Sequence, residues 1–182
     1  MHEKRFSGEA DRLRAPDRVE RLQVEQVVEQ CLEGLTASSA LDVGTGTGLF
    51  AEGFVRHGCR VEGVDANPDM IAHARRLIPE AHFVVGMAET LPYPDSSFDV
   101  VFLGLVFHET DDAQAALREA LRVARKRIAI LEWPYREQEF GPPLPHRVDP
   151  ERLAELFATV AGRSPRVTSL AHLDLILLDK EP

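Results

Sequence analysis

The chain has 182 residues, with 44% hydrophobic and 28% charged residues and a formal net charge of -9. That length and balance suit a globular fold built round one core, and they exclude a disordered or low-complexity protein. The acidic surface makes a nucleic-acid polymer a poor default partner.

The N-terminal "MHEKRFSGEADRLRAPDR" lacks an apolar stretch and does not read as a signal peptide; it is expected to be irregular or a short helix. Residues 17–35 carry Val19, Leu22, Val24, Val27, Val28, Cys31, Leu32 and Leu35 at helical spacing, with Gly34 near the end. One amphipathic helix is expected there, either covering a sheet edge or lying over a binding site. "SALDV" reads as a buried strand, and the segment after Gly44, Gly46 and Gly48 as a helix to about His57. "CRVEGVD" is a second strand. "NPDMIAHARRL" follows as a helix with Asn67 as cap and Pro68 at its first position. "HFVVG" and "FDVVFLG" are strands, "DDAQAALREALRVARK" a helix and "RIAILEW" a fifth strand. The basic run Arg122–Arg127 is expected to be a helix end, where cations complement the dipole. A proline-broken loop, "YREQEFGPPLPHRV", precedes a helix capped by Asp149, and "RVTSLAHLDLILLDKE" reads as an antiparallel closing pair.

Alternating strands and helices predict an α/β fold: a doubly wound, mostly parallel, Rossmann-like sheet with helices on both faces. Residues 1–36 are expected to form a helical cap and 37–182 the core of one domain. Cys31 and Cys59 have neither metal spacing nor a disulfide pattern, which suits a reducing cytoplasm. The apolar run from Phe98 to Phe107 contains Asp99 and is too short to span a bilayer.

The glycine loop "DVGTGTGLF" limits the ligand. A phosphate loop needs Gly-Lys-Ser/Thr, and Gly48 is followed by Leu49 and Phe50. A dinucleotide fingerprint needs G-x-G-x-x-G, and the spacing here is G-x-G-x-G. Roughly 20 residues on, Asp65 ends the second strand, where doubly wound folds place a carboxylate on ribose hydroxyls.

The pieces "LDVGTGTG", "VEGVDANPDMI", "GMAETLPYPDSSFDVV" and "ALREALRVARKRIAILEW", in that order, resemble the class I S-adenosylmethionine-dependent methyltransferases. The resemblance is to the small ubiquinone/menaquinone-biosynthesis-like (type 11) group. It implies a seven-stranded sheet with an antiparallel C-terminal strand in a three-layer sandwich. It implies S-adenosylmethionine as cofactor, a small-molecule methyl acceptor and no metal. It places Asp42 toward the methionyl ammonium, directly or through water, and the methionyl carboxylate at the backbone N–H groups of the helix N-terminus that follows the Gly44, Thr45, Gly46 and Gly48 loop. Asp65 would take the ribose, and Ala66, Met70, Met87 and Ala88 the adenine, with Leu103 also at the cofactor. Many relatives have Asp where this chain has Met87; Glu89 is the substitute within reach.

For proton removal from an acceptor, His108 is the candidate base, since imidazole titrates near neutrality; a backbone-bonding role for it is the alternative. Glu109, Glu132, Trp133, Tyr135, His146 and Arg147 are further candidates at the strand ends. "HETDD" is not H-E-x-x-H, so a zinc hydrolase is not supported. An NAD(P)-dependent oxidoreductase and a non-catalytic S-adenosylmethionine-binding protein are the competing functions.

Overall fold

The computed structural model describes residues 10–180, so the first half of the segment read as lacking a signal peptide lies outside the described residues. A seven-stranded sheet has the order β3-β2-β1-β4-β5-β7-β6. The strands are β1 (Ser39–Val43), β2 (Arg60–Asp65), β3 (His82–Val85), β4 (Phe98–Gly104), β5 (Ala124–Glu132), β6 (Arg166–Ser169) and β7 (Asp174–Asp179). β1 to β5 pair in parallel, and β7 runs antiparallel to both β5 and β6. The mostly parallel sheet and closing pair follow the sequence expectation.

Three helices, α3 (Val24–Leu32), α4 (Leu49–Arg56) and α5 (Pro68–Leu77), cover one face. The other face carries α6 (Ala113–Val123) and α7 (Pro150–Ala161). Strand alternation feeds both layers: Val100 and Phe102 of β4 face the first, Val101 and Leu103 the second. Phe102 packs 4.8 Å from the Phe50 ring and 5.6 Å from the Phe54 ring. Burial of each such ring stabilises by about 1.5–3 kcal/mol.

Two elements differ from the sequence reading. The single helix over 17–35 is two, α2 (Pro16–Leu22) and α3, broken at Gln23. Gln23 adopts a left-handed conformation, φ 49, and its amide bonds back to the Glu20 carbonyl. The break turns the chain, so α1 (Ala10–Leu13) and α2 lead to the carboxyl end of the sheet while α3 packs on α4.

The basic run is a helix end only at Arg122, in the last turn of α6. Residues 124–127 already belong to β5, which follows α6 with no intervening turn. Tertiary partners outweigh the helical pattern. The Arg125 and Lys126 side chains reach buried Asp99 at 2.9 and 3.2 Å. Burial pushes the Asp99 carboxyl up, but the Ser38 amide and hydroxyl with these two cations outweigh it and hold the group well below the usual carboxylate range. Arg127, 4% exposed, donates to Asp179 at 2.5 Å and to the Cys31 and Glu33 carbonyls at the end of α3. These cations fasten the amino end of the sheet, away from the strand ends that form the cleft.

Candidate functional site

The strand order reverses beside β1, between β2 and β4, and a crevice at the carboxyl ends is expected there. A cleft of about 490 Å³ occupies that position. The turns after β1, β2, β3 and β4 all contribute to its wall, through Gly44 and Gly46, Asp65 to Pro68, Gly86 to Glu89, and Gly104 to Val106. Met70 of α5 completes one side. Thus Gly44, Gly46, Asp65, Ala66, Met70, Met87, Ala88 and Glu89 come together in one cavity.

Gly44 has φ +69, and a Cβ there would collide with the Val106 side chain. The loop can approach β4 this closely only with glycine. Asp65 holds the turn from the side: its Oδ2 accepts from the Gly46 amide and its Oδ1 from the Asn67 amide, both at 2.8 Å. A carboxylate has about four acceptor positions, so it can receive further hydroxyl donors.

Four expected residues lie elsewhere. Asp42 is 2% exposed and does not line the cleft. Its Oδ2 accepts from the Thr45 hydroxyl at 2.7 Å and the Ala51 amide at 3.1 Å, which locks the loop onto the start of α4. Burial pushes its carboxyl up to about 7, against the lowering effect of those hydrogen bonds. Thr45 is turned to Asp42, Gly48 packs against Ile78, and Leu103 points into the α6 layer. The loop amides are also engaged. Gly44 and Thr45 donate to the Val64 carbonyl, Gly46 to Asp65, and Gly48 to the Thr45 carbonyl. These bonds shape the turn that leads into α4.

His108 sits in a 3₁₀ turn, Phe107–Glu109, directly after β4. Its Nδ1 lies 2.8 Å from Glu132 Oε2 at the end of β5, and its own amide donates to Glu132 Oε1 at 3.0 Å. With Nδ1 facing a carboxylate, the network assigns the ring proton there and leaves Nε2 as the basic nitrogen. Nε2 is 3.8 Å from Glu109 Oε1, and Glu109 lines the cleft. The imidazole therefore stands just behind the cleft wall.

Arg147 is structural. It is 7% exposed and donates to the Pro134, Arg136, Phe140 and Pro142 carbonyls, gathering the proline-rich loop round itself. Trp133 is core, 6% exposed and 6.1 Å from the Phe140 ring. Half-exposed Tyr135, with Trp133 and Glu132, lines a smaller apolar cavity of about 170 Å³ against α7. His146 lines neither cavity.

Sequence reasoning missed Leu13 and Arg18, which α1 and α2 bring to the wall, and Asp111 beyond the β4 turn. The Asp111 amide donates to Glu89 Oε1 at 2.9 Å, joining two sides of the cleft. Among the described residues, the charged members of the wall are Asp65, Glu89, Glu109 and Asp111 with Arg18, so acid prevails there.

Residues 41–130 match a family model described as a methyltransferase domain. The demethylmenaquinone methyltransferase of Chlorobaculum tepidum is 38% identical over 95 residues, 52% of this chain and 39% of that protein. The malonyl-[acyl-carrier protein] O-methyltransferase of Serratia marcescens is 38% identical over 91 residues, 50% of this chain and 36% of that protein. The chain thus spans about two fifths of the length of these curated relatives. A SAM-dependent methyltransferase from Aquifex aeolicus shares the fold, with a TM-score of 0.79 over 92% of this chain and 95% of that one at 22% identity. The sequence match, carried by the glycine loop and the segments that line the cleft, shows that the chain belongs to the class I S-adenosylmethionine-dependent methyltransferases of the type 11 group.

Proposed function

We propose that this chain transfers a methyl group from S-adenosylmethionine to a small-molecule acceptor. The observation that carries the reading is the charge of the cleft wall, where the described residues include four carboxylates and one guanidinium. A pyrophosphate in that field is repelled, whereas a phosphate-free nucleoside with a sulfonium is attracted. Bound there, S-adenosylmethionine supplies a methyl group already activated for in-line displacement. Asp65 takes the ribose hydroxyls while keeping the Gly46 and Asn67 amides. Met70 and Ala66 on one side, and Met87 and Ala88 on the other, sandwich the adenine. The protein supplies mainly alignment, an effect worth about 7–11 kcal/mol in well-oriented systems.

Where the acceptor must lose a proton, His108 Nε2 receives it by way of the Glu109 carboxylate, which lies 3.8 Å from it in the cleft wall, and Glu132 stabilises the imidazolium through Nδ1. The small apolar cavity beside Glu132 suits the apolar body of an acceptor. The net charge of -9 supports a small acceptor over a nucleic acid, and the buried thiols of Cys31 and Cys59 suit a reducing cytoplasm. No helix among the described residues is long and apolar enough to cross a membrane.

Calorimetric titration tests the cofactor class. S-Adenosylmethionine is expected to bind with a micromolar Kd, about 8 kcal/mol of binding free energy, and NAD to give no saturable heat. Tighter binding of NAD would overturn the assignment in favour of an oxidoreductase.

A further inference from the structure

Arg18 is a half-buried cation in the cleft wall, and its Nε is buried with no hydrogen-bond partner. A guanidinium carries five donors in a fixed fork and normally spends them on carboxylates or carbonyls. The neighbouring arginines do so: Arg14 bonds Glu52 and the Thr47 carbonyl, and Arg21 bonds Asp17. Burial, with Arg21 nearby, pulls the Arg18 guanidinium below its ordinary value, while Glu109 and Asp17 act the other way. A buried guanidinium nitrogen without a hydrogen-bond partner is costly, so the site is incomplete as it stands. The Gly44, Thr45, Gly46 and Gly48 amides are already bonded to the Val64 and Thr45 carbonyls and to Asp65, so these four donors are not offered to an anion.

We propose that Arg18 is the receptor for a carboxylate carried into the cleft, presented from α2 at the cleft wall. The inference rests on the cofactor reading above. The carboxylate belongs either to the methionyl tail of the cofactor or to the acceptor, and the guanidinium fork suits both. α2 is thereby a binding element, and the break at Gln23 is what lets it diverge from α3 toward the cleft.

Arg18→Met tests the proposal, because it keeps an unbranched apolar stem and removes the charge. The unliganded variant is expected to melt at or above the wild-type temperature, since a partly buried cation with an unbonded Nε is removed. S-Adenosylhomocysteine and 5′-methylthioadenosine, which share the nucleoside but differ in the amino-acid tail, are titrated into both proteins. If the tail supplies the carboxylate, the variant loses roughly tenfold to a hundredfold in S-adenosylhomocysteine affinity and nothing toward 5′-methylthioadenosine. Arg18→Lys recovers part of that loss, because charge returns without the fork. If the acceptor supplies it, S-adenosylhomocysteine binding is unchanged. Benzoate then binds the wild-type complex more tightly than benzamide does, and Arg18→Met abolishes that preference. Equal losses toward both nucleosides, or no loss toward any probe, overturn the proposal while the cofactor reading stands. A wild-type chain that binds neither nucleoside overturns both.

Discussion

Replacing Asp65 with alanine is expected to weaken S-adenosylhomocysteine binding by roughly 10²- to 10⁴-fold. Each hydrogen bond to a charged acceptor contributes about 1.5–3 kcal/mol, and a ribose offers two hydroxyls to this carboxylate. The same side chain holds the Gly46 and Asn67 amides at 2.8 Å, so the variant also loosens the turns after β1 and β2. Asp65→Asn separates the two effects. Its single carbonyl oxygen keeps one acceptor and loses the charge, so an intermediate affinity is expected with less change in melting temperature. Calorimetry with both variants checks this. Unchanged affinity in Asp65→Ala would mean that the nucleoside lies elsewhere.

Loss of His108 is expected to act on turnover and spare the cofactor. General base catalysis contributes typically about 10²–10⁴-fold, and His108→Ala should lose that factor with an acceptor whose reactive atom must be deprotonated. The alanine variant also strips the Glu132 carboxylate, 3% exposed as a residue, of its imidazole donor. A fall in stability accompanies it, since a buried charge is left with fewer partners. His108→Asn is the informative companion. Its amide NH₂ can donate to Glu132 as Nδ1 does, so stability should return while turnover does not, because no base replaces Nε2. Recovery of turnover in His108→Asn would reduce the imidazole to a structural strut. S-Adenosylhomocysteine affinity should stay at the wild-type value in both, since His108 stands behind the cleft wall and does not line it.

The legible parts of this protein were the local ones. The glycine spacing after β1 and Asp65 at the end of β2 are short-range patterns, and the structure brings Gly44, Gly46 and Asp65 into one cavity. The helix caps at Asn67 and Asp149 were readable for the same reason, and each side chain accepts from its own first turn. The partnership of His108 with Glu132 was not readable, although both residues were candidates. They lie 24 positions apart, and only the placement of β5 beside β4 sets them 2.8 Å apart. Asp42 was placed at the ligand because it ends a strand; alternation and the Thr45 hydroxyl turned it inward. The break at Gln23 carries no glycine or proline, so the heptad-like spacing ran straight across it. Arg18 followed from that break: on one continuous helix it reads as part of a solvated face. The α6-to-β5 junction likewise has no turn residue, and the buried Asp99 that draws Arg125 and Lys126 into strand geometry is distant in sequence.

A crystal structure of the complex with S-adenosylhomocysteine tests the central claim most directly. The expected result has both ribose hydroxyls within hydrogen-bond distance of the Asp65 carboxylate and the adenine between Met70 and Met87. A nucleoside seated away from the β2 turn, with Asp65 bonded only to its own loop, would contradict it.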